Sequence, residues 1–230
     1  MAVMIHFKVF FTILLLAAVG LHSIGASDPD PLQDFCVADL QASGPIVNGG
    51  YPCVAAGLVT TEDFAFSGLA KAANLTGVAT QGMATLGFVN EWPALNSQGL
   101  SLARLDINPG GIIIPHTHHL ATEILFCLEG EIYTGFVANS DNVDVPNKLF
   151  AKIVKAGEAF IFPRGLLHFQ MNKGTKPAVS LNVLNGQNPG FQSMPVALFG
   201  TGIDPELLAK SFFISEAQVA NLSAILTQFA

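Results

Sequence analysis

Two short segments punctuated by glycine and proline constrain this chain more than any other feature. The first runs from Gly110 through Pro115, His116, His118 and Glu123 to Gly130. The second runs from Gly157 through Pro163, Gly165 and His168 to Asn172. Glycine and proline at that density break helices and favour extended chain joined by turns. Both segments also carry side chains that bind metal ions, so a β fold with one shared site is the first expectation.

Strand geometry supports one site. His116 and His118 are two apart and point to one face of an extended chain, and Pro115 keeps the approach extended. Glu123 lies five residues beyond His118 and would face the other way in an unbroken strand, so a turn or bulge through His119 and Leu120 has to bring it back. His168 follows 45 residues after Glu123 on another strand, as a closed sheet allows. The alternative is three histidines and a glutamate with unrelated hydrogen bonds. His119 is the spare: it faces solvent or supports a neighbour, and replacing a neighbouring ligand is its other reading. Three imidazoles and a carboxylate leave an octahedral ion two open positions. Imidazole suits Zn, Cu, Fe and Ni, while a carboxylate shifts preference toward Mn; a fourth protein ligand departs from the usual three-ligand catalytic zinc site.

Lys8, the apolar run from Val9 to Leu21 and the small residues Gly25, Ala26 and Ser27 have the layout of a secretory signal peptide. The run is shorter than the roughly 20 residues a membrane span needs. Cleavage after Ala26 makes residues 1–26 a leader and 27–230 a single domain, 204 residues long, enough for a sizeable core. Loss of Lys8 moves the net charge from −7 to −8, and an acidic domain without a basic run is a poor partner for nucleic acid. His6 and His22 leave with the leader, so every remaining histidine lies in the two segments.

Secretion also bears on the three cysteines. Cys36 and Cys53 lie in loop-like sequence near the mature N-terminus and read as a disulfide in an oxidising compartment, with two free thiols as the alternative. Cys127 falls on the Glu123 face of a strand-like run and reads as a buried packing thiol. Asn74-Leu-Thr76 is a sequon in turn-like sequence; Asn221-Leu-Ser223 falls inside a helical stretch and is expected to be less accessible.

Short β-type runs cover 100–107, 122–130, 133–137, 150–154, 159–162, 168–172 and 178–183, an all-β pattern of sandwich or barrel type. Helix signals come late. Asp204-Pro205 caps a helix over 206–213. Ser215 and Gln218 form a capping box before Val219, Leu222, Leu226 and Phe229 at helical spacing, a pair of helices suited to a lid or an oligomer contact.

The two segments match G-x5-H-x-H-x4-E-x6-G and G-x5-P-x-G-x2-H-x3-N, the paired cupin motifs, at all ten fixed positions. With Asp28-Pro-Asp-Pro-Leu-Gln-Asp-Phe-Cys36, Glu91-Trp-Pro93 and Gln187-Asn-Pro-Gly190, the chain resembles the germin-like proteins, secreted plant cupins. That resemblance implies a cupin β-jelly-roll barrel with C-terminal α-helices, and Mn held by His116, His118, Glu123 and His168. It also implies a Cys36–Cys53 disulfide, a cell-wall or apoplastic location, and a homo-oligomer, a hexamer built from dimers.

Departures from the family pattern bear on activity. His119-Leu120 stand where germin-like proteins usually carry Pro-Arg, and Ile113 and Ala103 stand where oxalate oxidases place asparagines near the metal. Without those amides a diacid loses its hydrogen-bond donors, which argues against oxalate oxidation. Superoxide, which needs only an open coordination position, is the expected substrate of a manganese superoxide dismutase that generates hydrogen peroxide. The alternative is a non-enzymatic cell-wall binding or storage-type cupin with a structural metal.

Overall fold

A computed structural model describes residues 33–42, 49–140 and 144–229. The leader expected at 1–26 lies outside them. Ten strands occupy Gly82–Gly87 (β1), Ser101–Ile107 (β2), Ile112–Thr117 (β3), Glu123–Glu129 (β4), Glu131–Ala138 (β5), Lys148–Lys155 (β6), Ala159–Phe162 (β7), Leu167–Met171 (β8), Ala178–Leu184 (β9) and Gln192–Ser193 (β10). They form two five-stranded antiparallel sheets, ordered β1-β2-β9-β4-β7 and β10-β3-β8-β5-β6. The chain crosses repeatedly between the sheets, as the expected jelly roll requires.

Alternation explains the sandwich. On β4 every second residue from Glu123 to Cys127 is buried, while Ile124, Phe126 and Leu128 face outward. The core joins Leu105, Leu125 and Phe162 of the first sheet to Ile132 and Val154 of the second. Burial at roughly 25 cal/mol per Å² of apolar surface makes this inner layer the main source of stability. Cys127 is fully buried in it, as expected for a packing thiol.

All seven expected strands form, 159–162 with the expected ends and the others with ends shifted by one or two residues. Three others lie outside those seven runs, although the stretch at His116 is expected to be extended chain. β1 is bounded by glycines and has no clear apolar alternation, and β10 is only two residues long. β3 contains Pro115, normally a mark against a strand. Here the register with β8 shifts between Ile113 and His116, so the residue without an N–H sits where the ladder is already interrupted.

Cys36 and Cys53 are joined by a disulfide with a sequence separation of 17. A loop of that size contributes about 3 kcal/mol in the chain-entropy model. Ala38 and Cys53 also form a β-bridge, and Ala38 N–H donates to the Pro93 carbonyl, so the bridge ties the N-terminal segment to the Trp92-Pro93 turn.

The C-terminal part contains three helices, Met194–Phe199 (α1), Pro205–Phe212 (α2) and Glu216–Leu226 (α3). Asp204 Oδ1 accepts from the N–H groups of Glu206 and Leu207, and the Ser215–Gln218 capping box is present. α1 was missed: its Ser193 cap and Pro195 were plain, but six residues hold too little periodicity to stand out. Val219 packs with Leu208 and Ala209 in a small helical core. Leu222, expected on that buried face, is exposed instead, and so is Asn221. Asn74 is exposed, and its Oδ1 caps a turn by accepting from the Thr76 N–H.

Candidate metal centre

His116 lies near the end of β3, directly opposite His168 on the adjacent β8, with ring centroids 4.1 Å apart. His118 follows β3, and a turn through His119 and Leu120 carries the chain across to Glu123, the first residue of β4 in the other sheet. The return of Glu123 is thus a crossover between sheets. The turn is pinned on two sides. Gly165 N–H donates to the His118 carbonyl and Arg164 Nε to the His119 carbonyl, while Leu120 N–H donates to the Pro189 carbonyl. The second glycine-proline segment therefore positions the first.

All four side chains are buried, and one ligand atom from each lies within 4.8 Å of the others. His119 is exposed and stands outside the cluster.

Each imidazole is held from behind. Nδ1 of His116 donates to the Ile114 carbonyl at 2.8 Å, Nδ1 of His168 to the Leu166 carbonyl at 2.8 Å, and Nδ1 of His118 to the Gly190 carbonyl at 2.6 Å. With the proton on Nδ1, each Nε2 presents a lone pair to the centre. Phe162 stacks on the His168 ring at 4.5 Å and fixes its plane. Glu123 Oε2 lies 3.1 Å from Nε2 of both His118 and His168. Its Oε1 accepts from Asn182 Nδ2, and Asn182 Oδ1 accepts from the Ser180 hydroxyl at 2.7 Å.

The electrostatics keep Glu123 ionised and His116 neutral. Burial would push the Glu123 carboxyl up, but the hydrogen bonds and charges of His118 and His168 outweigh it and hold the group well below the usual carboxylate range. Burial pushes His116 down to about 3, with the neighbouring His168 adding to the fall. Nε2 of His118 and Nε2 of His168 each stand 3.1 Å from the same carboxylate oxygen, the convergence expected of atoms that share one cation. Three imidazoles with their Nδ1 atoms tied to backbone carbonyls and one buried carboxylate form a donor set that fits a divalent metal.

Beside the cluster is a cavity of about 260 Å³ whose wall includes Ala103, Leu105, Ile113, Gln170 and Phe191. Its mouth is marked by Phe191, half exposed and 4.9 Å from the His116 ring. Ile113 and Ala103, noted from sequence as departures, thus stand in the wall, where they offer carbon and no donor.

Sequence reasoning missed several supporting residues. Asn182 and Ser180 were visible only as polar residues at buried-phase positions of an apolar strand. The carbonyls of Ile114, Leu166 and Gly190 carry no sequence signal, because a backbone acceptor belongs to every residue. Gly190 has φ of 66°, which favours glycine, and a Cβ there would stand 2.3 Å from the His119 ring.

The cupin family model matches residues 67–220. Germin-like protein 1-3 of Oryza sativa subsp. japonica is 45% identical over 90% of this chain and 89% of its own length. Germin-like protein subfamily 3 member 2 of Arabidopsis thaliana is 44% identical over 86% of this chain and 85% of its own. A solved structure of oxalate oxidase is 39% identical, with a TM-score of 0.82, covering 89% of this chain and 100% of that one.

Two outcomes follow from the geometry. Gly190→Ala strains the backbone and shifts the carbonyl that orients His118, so metal affinity measured by competition with a chelator should fall about 10- to 100-fold, as for other supports of metal ligands; unchanged affinity would refute that role. In metal-stripped protein, His116 and Glu123 both have lowered folded-state values, so the folded state binds fewer protons than the unfolded one and their contribution is lost as pH falls. The window opens at the ordinary histidine value of 6.5 and extends toward 3. The thermal midpoint at pH 4.5 should lie below that at pH 7; an equal or higher value contradicts the electrostatic account.

Proposed function

The chain belongs to the germin-like proteins of the cupin family, and from that premise we propose that it is a secreted, manganese-binding cell-wall protein with superoxide dismutase activity. The observation that carries this reading is the convergence of His116, His118, Glu123 and His168 beside an accessible cavity. A redox metal held by these side chains supplies the one-electron exchange by which two superoxide ions and two protons become dioxygen and hydrogen peroxide. The mixed donor set supports manganese: the carboxylate favours it, and the fourth protein ligand sets the site apart from three-ligand catalytic zinc.

The rest is done by the chain itself. The carbonyls behind the three imidazoles hold their Nε2 atoms inward, and Asn182 and Ser180 hold the carboxylate. The carbon of Ala103 and Ile113 in the wall offers a diacid no hydrogen bond, while superoxide needs none there. Oxalate oxidation is accordingly disfavoured, despite the likeness to an oxalate oxidase.

The reading includes cleavage of residues 1–26, a glycan on the exposed Asn74, and a homo-oligomer, a hexamer by family resemblance. Ile124 of β4 pairs with Ile161 of β7 on one side and Val183 of β9 on the other, making an exposed apolar row across the first sheet. Phe213, at the end of α2, is 96% exposed. Contiguous apolar surface of this kind suits contact with further copies. No helix among the described residues is long and apolar enough to cross a membrane.

The test is elemental analysis and a dismutase assay on the same secreted sample, with His118→Ala as control. The expected result is manganese near one per chain in the wild type, with metal and activity lost together in the variant. Activity fully accounted for by manganese released into solution, or a protein that holds manganese and does not turn over, would overturn the enzymatic reading.

A further inference from the structure

Phe191 stands where the candidate metal centre meets solvent. Its ring lies 4.9 Å from that of His116, with 33° between the planes, and 6.0 Å from that of His118, while 56% of the residue is exposed. Phe88, which lines the same cavity, is less exposed, and the imidazoles are buried. Phe191 is thus the aromatic ring of the lining that most fully touches the histidines and water at once.

The backbone on either side of it is fixed. The Gly190 carbonyl accepts from Nδ1 of His118, and the Pro189 carbonyl accepts from the Leu120 N–H. On the other side Gln192 and Ser193 pair with Thr117 and His116 of β3. What stays free is the side chain, and a half-exposed phenyl turns about its own torsions far faster than a loop rearranges. A ring swung into water exposes apolar surface and gives up its contact with the imidazoles, so its resting position is against them.

We propose that Phe191 is a specificity-determining residue of this cavity: a hinged ring on a fixed backbone that lets species of two or three atoms past and holds back larger planar ligands. Superoxide passes beside the resting ring. A planar diacid that takes two or more positions on the ion reaches it only with the ring swung out. The strongest ring contacts correspond to a population ratio of about ten, so larger ligands meet an open cavity in about a tenth of the molecules. This selection is steric, and it is separate from the hydrogen-bond donors that Ala103 and Ile113 do not supply. The inference rests on the reading that His116, His118, Glu123 and His168 hold a metal, though not on that metal being manganese and not on turnover.

The experiment loads the full protein with cobalt(II), whose visible absorption follows both the ion and its added ligands. Azide serves as the small probe and dipicolinate as the planar diacid, each mixed rapidly with wild type and with Phe191→Ala. The second-order rate of cobalt removal by dipicolinate should rise about tenfold in the variant. The azide association rate and the affinity for cobalt should not change, whereas a residue that merely shaped the metal ligands would alter that affinity. Phe191→Trp should slow dipicolinate below wild type. Should the alanine variant fail to fold, Phe191→Leu must accelerate dipicolinate over azide in the same direction. Equal dipicolinate rates in wild type and variant, an equal acceleration of both probes, or a loss of cobalt affinity in the variant overturns the proposal. A wild-type chain that takes up no cobalt removes the metal reading and this one with it; cobalt uptake with equal rates removes this one alone.

Discussion

Three backbone carbonyls behind three imidazoles hold the centre of this molecule together. By accepting from Nδ1 of His116, His118 and His168, the carbonyls of Ile114, Gly190 and Leu166 turn every Nε2 lone pair toward Glu123. Lone pairs and a carboxylate converging in a buried space are the convergence expected of atoms that share one cation. The rigidity of the surrounding β framework keeps the donors in place. Two of the histidines sit on paired strands, and the glutamate opens a strand of the opposite sheet.

The same framework sets what approaches the centre. Ligands from both sheets place the site inside the sandwich, and the cavity beside it inherits the apolar inner faces of β2 and β3. The register shift before His116 lets Ile113 line the cavity along with the histidine, although three residues separate them and an unbroken strand would put them on opposite faces. One irregularity in the ladder thus frees Pro115 from a pairing it could not make, aims a ligand and shapes a wall. A polar pair at Ala103 and Ile113 would have made a cavity suited to a diacid; carbon makes one suited to small or apolar species.

Much of this was legible in the chain. The ten motif positions identify the four clustered side chains, and alternation located seven strands because half-buried strands carry their own period. Asp204-Pro205 and Ser215–Gln218 marked two helices because caps are local chemistry. What escaped had no local signal. β1 depends on pairing with β2, and β3 carries a proline whose harmlessness only the register reveals. Leu222 has helical spacing yet is exposed, while Val219 on the same helix is buried. Gly190 could be read as part of a motif, but its role needs the fold, which brings it 72 residues back to His118.

The most direct test of the central claim, that four side chains share one ion, is a crystal of the protein measured on both sides of the manganese absorption edge. The account predicts one anomalous peak per chain, within bonding distance of Nε2 of His116, His118 and His168 and a carboxylate oxygen of Glu123, and its disappearance below the edge. A peak elsewhere, a peak that persists below the edge, or a site filled only by water would contradict it.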